Sequence, residues 1–507
     1  MANHLWDGFD ALGAGRSAPF LVLESRRTIT YADASEIAGK LSAVLVARGV
    51  RPGDRVAVQA EKSAEMILLY LACMRAGAAI LPLNTAYTLV ELEYLLSDST
   101  PALIVCRPSD ETAVASLTRR LGLSEPLTLG VDGDGSLMAW SADAEAGPIV
   151  HRTPEDLAAV LYTSGTTGRP KGAMLTHSNL YINVLQCSRW MVGLEPGNER
   201  MLAVIPFFHV FAMTVAMNLA IANGMVMIIH PKFELKHVLA DIAQKKPTLM
   251  PGVSTLYATI NNYAFIHKYD LSSIKMCISG GGPLPVEVKQ NFEKLTGCAL
   301  VEGYGLTESS PVTSCNPLRG VNKTGSIGLP LPGTVMEVID KDDGVTPMKV
   351  GEIGEICISG PQVMAGYLNR ADETDKVLRN GRLHTGDLGY VDADGYFFIV
   401  DRLKEMIIVG GYKIFPRQVE ELLYAYPAVV EAAVIGLTHP TRGQMIKAFL
   451  VLKEGATLDE SALKDYLRKN ISAYAIPHAF EVRTSLPKSA IGKILKKELV
   501  AEENAKH

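Results

Sequence analysis

The sequence predicts an α/β protein in two unequal parts: a large N-terminal region built on a parallel sheet covered on both faces, then a smaller α+β unit. Three observations predict it. Through the first 150 residues, short apolar runs of strand length alternate with segments of helical length, the pattern of a parallel sheet with crossover helices. From about Gly351 the text turns to strands and turns, GEIGEICISG followed by GYVDADGYFFIVDR. Beyond Arg402, the last 105 residues mix helix and strand patterns at closer intervals.

The elements follow in order. Arg55 to Gln59 is a strand, and Ser63 to Ala76 is a helix with apolar Met66, Ile67, Leu69, Tyr70 and Cys73 that Gly77 ends. Ala79 to Leu83 is a strand, Leu89 to Ser97 a helix and Ala102 to Cys106 a strand; Leu202 to Ile205 and Lys275 to Ser279 repeat the strand pattern. Phe211 to Ile229 is nineteen residues without a charge, close to spanning length. Asn218 and the turn signal Asn223-Gly224 interrupt it, which predicts a buried helix and a short strand from Met225 to Ile229, with no transmembrane span. Asp392 to Gly395 is a hairpin turn. In the terminal unit Arg417 to Tyr424 and Ser461 to Asn470 are helices, and Val429 to Gly436 and Ile446 to Lys453 are strands. The boundary falls at Asp401-Arg402-Leu403-Lys404, giving domains 1–401 and 402–507.

Composition bounds the function. At 507 residues, 48% hydrophobic and 20% charged, the chain is an ordinary globular protein. A net charge of −5 is small for this length and points away from a nucleic-acid partner. The seven cysteines are scattered with no C-x-x-C pair, which argues for free thiols in a reducing, cytoplasmic compartment and against structural zinc. No basic start followed by an apolar run marks a secretory signal.

Tyr162 to Gly172, YTSGTTGRPKG, carries the most chemistry. It holds Gly165 and Gly168, the hydroxyls of Tyr162, Thr163, Ser164, Thr166 and Thr167, and the cation Lys171 in eleven residues. Glycines let the backbone approach an anion, and hydroxyls, amides and an ammonium supply donors, so the stretch suits a polyphosphate. It is not a Walker A loop, because Gly165, Gly168 and Lys171 are spaced by three. Four other clusters each have a plainer reading when taken alone. MCISGGGPL (Met276 to Leu284) ends a strand in the glycines Gly280, Gly281 and Gly282, as any strand-to-helix turn might be built. EGYGLTESS (Glu302 to Ser310) sets Tyr304 between Gly303 and Gly305 and places Glu308 beside Thr307; a carboxylate there suits Mg²⁺ near phosphate, or a helix N-terminus. GRLHTGDLG (Gly381 to Gly389) holds Asp387 in a turn, with Arg402 fifteen residues on. LPKSAIGKILKK (Leu486 to Lys497) carries Lys493 after Gly492 in what could be a solvated basic tail.

Together, in this order, the five clusters resemble the adenylate-forming superfamily of acyl-CoA synthetases, adenylation domains and luciferases, from about Thr28 to the last basic helix. The resemblance implies a large N-terminal AMP-binding domain of stacked αβα-type sheets and a small, mobile C-terminal domain. It implies an acid–thiol ligase that forms an acyl-adenylate and pyrophosphate from ATP, then acyl-CoA and AMP. Thr163, Ser164, Gly165, Thr166, Thr167, Gly168 and Lys171 would hold the β- and γ-phosphates, and Glu308 with Thr163 would hold Mg²⁺. Gly281, Gly282, Gly303, Tyr304, Gly305 and Thr307 would frame the adenine, and Asp387 and Arg402 the ribose. Lys493 matches the lysine that bridges the carboxylate and α-phosphate. Lys404 matches the hinge about which the small domain turns, bringing Gly410, Gly411 and Tyr412 to the CoA tunnel. Some relatives carry basic residues at the positions of Ile408 and Gly410; here both are uncharged, which weakens any extra phosphate contact there.

The acid is less plainly written. PFFHVFAMT (Pro206 to Thr214) matches an aromatic-plus-histidine motif, placing His209 near the acyl site, although a packed core histidine reads equally simply. Val210, Phe211 and Met213 offer an apolar acyl pocket. EGYGLTESSPV, GSIGLPLPGT and GPQVMAGY resemble bacterial medium- and long-chain fatty acyl-CoA synthetases, while LPLNTAYTLVELEYLLSD (Leu81 to Asp98) is more similar to malonyl-CoA synthetases. Those carry an arginine where this chain has Gly303, and a buried second carboxylate without a cation would be costly. Fatty acids are therefore expected, with pimelate-type dicarboxylates and aromatic acids as alternatives and a non-catalytic binding protein as a remote one. The expected partners are ATP, CoA and a carboxylic acid, with contact at a membrane surface left open.

Overall fold

The computed structural model describes residues 6, 9, 17–23, 27–163, 169–403, 405–409, 412–439, 443–489 and 492–506. Local rules explain where its elements begin and end. Ser63 caps helix Ala64–Ala76 by accepting from Met66 N, and Gly77 ends it at φ 69°, a left-handed position that glycine takes without strain. Thr88 and Glu91 form a reciprocal capping box on helix Leu89–Ser99. The apolar strands these helices connect, Arg55–Gln59, Ala79–Pro82 and Leu103–Cys106, lie side by side and parallel.

Seven strands make that sheet, ordered Gly366–Tyr367, Lys171–Thr176, Leu157–Thr163, Ala79–Pro82, Arg55–Gln59, Leu103–Cys106, Leu127–Thr128. The strands expected to be parallel are parallel, and the sheet becomes mixed at one edge. Leu157–Thr163 joins it in parallel, but Lys171–Thr176 folds back antiparallel and Gly366–Tyr367 pairs antiparallel beyond it. The reason is the short connection between Thr163 and Lys171, which can only make a hairpin.

A second layer joins Pro19–Leu23, Val226–Ile229 and Arg200–Ala203 in parallel. Parallel bridges at Leu249 link it to Met276–Ser279, which pairs with Ala299–Gly305. The strand predicted at Leu202 to Ile205 is thus Arg200–Ala203, two residues earlier, where it runs beside Val226–Ile229. The uncharged segment is buried: a π-helix at Ala212–Asn218, one α-turn at Leu219–Ala222, then strand Val226–Ile229. No helix among the described residues is long and apolar enough to cross a membrane.

The antiparallel sheet expected from Gly351 begins earlier, with Val335–Ile339, whose alternation VMEVI was not read as a strand. Its strands Arg382–Val391 and Phe397–Arg402 are joined by the turn at Asp392, where Gly395 N donates to Asp392 O. The apolar clusters then separate. The large ones draw on residues up to Ile399; the last two, built on residues such as Ile407, Val419, Ile446 and Leu463 or Phe449 and Leu499, draw only on residues from Ile407 onward. The protein is therefore a large N-terminal α/β domain and a small C-terminal one with cores of their own.

Strand Ala299–Gly305 ends where it presses on Val312–Cys315, and a β-carbon at Gly305 would stand 1.9 Å from Pro311 O. Gly305→Ala must therefore move backbone, and a loss of about 1–3 kcal/mol is expected, seen as a lower denaturant midpoint with the small domain's own unfolding unchanged.

Candidate active site

The glycine- and hydroxyl-rich stretch is the connection of the edge hairpin, with Thr163 opposite Lys171 and Tyr162 opposite Gly172. The ring of Tyr162 lies against Gly172, where a β-carbon would be 3.3 Å from Cζ. Lys171 holds its ammonium 4.6 Å from the centre of the Tyr367 ring and 2.7 Å from Glu373 Oε2. The Lys171 ammonium first, and Lys376 second, hold the Glu373 carboxyl below its ordinary range. Tyr367 in turn donates to Glu308 Oε1 at 2.7 Å, so Lys171 and Glu308 stand on two sides of one tyrosine. Glu308 sits in the single 3₁₀ turn Thr307–Ser309, directly beyond strand Ala299–Gly305.

Asp387 and Arg402 are register partners on neighbouring strands. Arg402 Nε donates to Asp387 Oδ1 at 3.0 Å, and the Tyr304 hydroxyl donates to Oδ2 at 2.5 Å. The Tyr304 phenol is pushed up, first by burial and then by this carboxylate, and Asp387 raises the Arg402 guanidinium further. Gly281, at φ 80°, and Gly282 lie exposed past strand Met276–Ser279, and nothing stands within 4 Å of where a Gly282 β-carbon would be. That leaves open space at the end of this strand.

Lys493 enters this cleft from the small domain. Its turn is closed by Ser489 N donating to Lys493 O at 2.8 Å and Lys493 N donating to Ser489 Oγ at 3.2 Å. Gly492, at φ 78°, fits against the large domain, where a β-carbon would be 2.6 Å from Thr255 Oγ1. Lys493 is exposed as a residue, but its ammonium end gives up solvent to the protein around it. That loss of solvent, with Arg402 adding repulsion, pushes Lys493 down to about 8, against the pull of Glu405 and Asp387. Beside it Lys496 is clasped by Glu405 at 2.9 Å and Glu420 at 2.8 Å. Asp401, on the large domain's last strand, accepts from Arg417 N at 3.0 Å and so caps helix Pro416–Tyr424 of the small domain; burial pushes its carboxyl up to about 6.

The field of Lys493 reaches His209. Phe211 N donates to His209 Nδ1 at 3.3 Å, which assigns the proton of the neutral ring to Nε2. Burial, and second the Lys493 ammonium, lower His209 to about 4. His209 is thus largely enclosed and within the field of Lys493. Val210, Phe211 and Met213 are buried beside it. The Phe211 ring packs on Gly280, where a β-carbon would be 3.1 Å from Cζ. At Gly303 a β-carbon would meet Ile278 Cγ2 at 3.2 Å and Cys315 Sγ at 3.6 Å.

Ser164, Gly165, Thr166, Thr167, Gly168, Lys404, Gly410 and Gly411 lie outside the described residues. Tyr412 is exposed on the small domain and stacks on Tyr474 at 4.5 Å. Tyr367 and Glu373 were missed: GPQVMAGY was read for its likeness to fatty acyl-CoA synthetases, and an aromatic two residues past Ala365 carries no chemical signal alone. A buried trio, Glu355, Cys357 and His384, places one ligand atom each within 4.8 Å of the others. Arg379 Nη2 lies 3.2 Å from His384 Nδ1, which already sits 2.8 Å from Glu355. The Arg379 guanidinium also stands 3.8 Å from Glu355, so these side chains form a polar cluster on the strand that carries Asp387.

Known proteins match this geometry. Residues 11–368 match the AMP-binding enzyme family and residues 418–493 the AMP-binding enzyme C-terminal domain. The chain is 41% identical to a long-chain-fatty-acid–CoA ligase of Bacillus subtilis (strain 168), covering 95% of this chain and 91% of that one. It is 38% identical to a feruloyl-CoA synthase of Amycolatopsis sp, covering 93% of each. The crystal structure of ATP-bound MatB from Rhodopseudomonas palustris superposes with a TM-score of 0.93 at 36% identity, covering 99% of both chains.

The His209 ring is expected to stay neutral from neutral pH down to about 4. A histidine-resolved NMR titration should show its midpoint rise when Lys493→Met removes the neighbouring ammonium, and an unmoved midpoint would break the link between them.

Proposed function

The chain belongs to the AMP-binding enzyme family and is an AMP-forming acid–thiol ligase, and from that premise we propose that its acid is a medium- to long-chain fatty acid. One observation carries the choice: the wall at Gly303 is Ile278, Cys315 and the Ser314 carbonyl oxygen, none of them a cation, so a second carboxylate would have no counter-ion there. Val210, Phe211 and Met213 continue the same surface, and the likeness to the long-chain-fatty-acid–CoA ligase agrees with it. An aromatic acid is the second reading, favoured by the likeness to the feruloyl-CoA synthase.

In this reading the physical problem is charge, since a carboxylate must attack an anionic phosphate. The hairpin from Thr163 to Lys171 holds the outer phosphates, with Lys171 oriented by Tyr367 and Glu373. Gly281, Gly282, Gly303, Tyr304, Gly305 and Thr307 frame the adenine. Asp387 exchanges its tyrosine and arginine partners for ribose hydroxyls. The Lys493 ammonium stands between carboxylate and α-phosphate, and neutral His209 adds no opposing charge at the acyl end. The hydroxyl of Thr163 and the carboxylate of Glu308 are hard oxygen donors that fit Mg²⁺ with phosphate oxygens. Bound there, Mg²⁺ would neutralise phosphate charge. Lys404 serves as the hinge for the second half-reaction and Gly410, Gly411 and Tyr412 face CoA. The seven free buried thiols suit a cytoplasmic setting.

With ATP, Mg²⁺ and CoA, AMP formation should be led by octanoate and palmitate, at least tenfold over malonate, with pimelate and ferulate between. Malonate in front would sink the apolar-wall argument. Lys493→Ala should slow acyl-adenylate formation by roughly 100-fold or more while sparing thioester formation from supplied acyl-AMP. Because Lys493 sits near 8 rather than at its ordinary value, the charged form dominates below that pH. Activation in the wild type should therefore fall as pH rises through about 8, in a kcat/KM profile that the supplied-adenylate reaction does not share.

A further inference from the structure

The segment Leu81 to Asp98 has no part in the site described so far, yet its helix, Leu89–Ser99, reaches both flanks of the phosphate hairpin. On the outgoing flank the Tyr162 hydroxyl donates to Asp98 Oδ2 at 2.7 Å. On the returning flank the Tyr94 hydroxyl donates to Pro170 O at 2.9 Å, and the Arg169 guanidinium lies over the Tyr94 ring at 5.3 Å. The two footholds are four residues apart, one helical turn on the same face.

A third strand of chain locks them together. Arg370 Nη2 donates to the Tyr94 hydroxyl at 3.2 Å and stands 4.0 Å from Asp98 Oδ1, while Asn369 Nδ2 donates to Asp98 O at 2.7 Å. That segment also carries Tyr367, under Lys171, and Glu373, paired with it. Leu368 N donates to Gly172 O at 2.8 Å, fastening it to the hairpin's second strand. Asp98 is nearly enclosed, its side chain 11% exposed, so its contacts are not loose surface pairs.

We infer that Tyr94 and Asp98 are positioning residues for the outer phosphates of the nucleotide: they fix the spacing of the two flanks, Tyr162–Thr163 and Arg169–Lys171, and with it the place of the Lys171 ammonium. The inference rests on the reading that this hairpin holds the β- and γ-phosphates. A brace of this kind acts on ATP and not on AMP, which has no outer phosphates. A general loss of fold would act on both.

The test is calorimetric binding of ATP and of AMP to the full chain and to Tyr94→Phe, Asp98→Ala and Glu93→Gln. Glu93 lies on the same helix but pairs with Arg120 on the outer surface, at 3.2 Å. Tyr94→Phe and Asp98→Ala should each weaken ATP by about five- to tenfold, the worth of one such hydrogen bond, and AMP by less than twofold. Glu93→Gln should change neither. Equal weakening of ATP and AMP, unchanged ATP binding, or a Glu93→Gln effect as large as the others would each overturn the brace while the ligase reading stands. A parent chain that binds neither nucleotide would overturn that reading and the brace with it.

Discussion

The cleft depends on one pairing: the antiparallel return of Lys171–Thr176 against Leu157–Thr163 at the edge of an otherwise parallel sheet. In a purely parallel sheet the strand after Thr163 would leave through a helix and come back a layer away. The hairpin instead returns Lys171 to the residue it left, opposite Thr163. It also offers a new edge, and Gly366–Tyr367 takes it, which brings Tyr367 and Glu373 to Lys171. A cation, its aromatic seat and its counter-ion are thus consequences of a single reversal of strand direction.

The same economy governs the electrostatics. Cations around the cleft are paired with carboxylates: Lys171 with Glu373, Arg402 with Asp387, and Lys496 with Glu405 and Glu420. Lys493 differs: loss of solvent first, and repulsion from Arg402 second, loosen its proton against the pull of Glu405 and Asp387.

How much of this was legible in the sequence follows from distance along the chain. Caps and stops are local: Gly77 ends its helix where the sequence puts the end, and the caps Ser63 and Thr88 act on residues three further along. The hairpin's chemistry was legible because its glycines, hydroxyls and lysine are contiguous. Asp387 and Arg402 were readable as a pair because they are strand neighbours fifteen residues apart. Tyr367 on Glu308 spans 59 residues and Arg370 on Tyr94 spans 276, and such contacts leave no spacing pattern. The strand at Val335–Ile339 was overlooked because five residues of mixed burial lie in a region of loops. The parallel strands were legible from their alternation with helices, but the antiparallel edge was not, because periodicity reports which face a residue takes, not which way its strand runs.

The contact of Gly492 with Thr255 is a fit of shape with no charge in it. Salt screens exposed charges over roughly 8–10 Å at physiological ionic strength, so the pull of the cleft on anionic ligands fades as salt rises. The seating of the lysine turn does not. Ionic strength thus acts on long-range attraction at the cleft while leaving this one contact between the domains, a matter of shape, untouched.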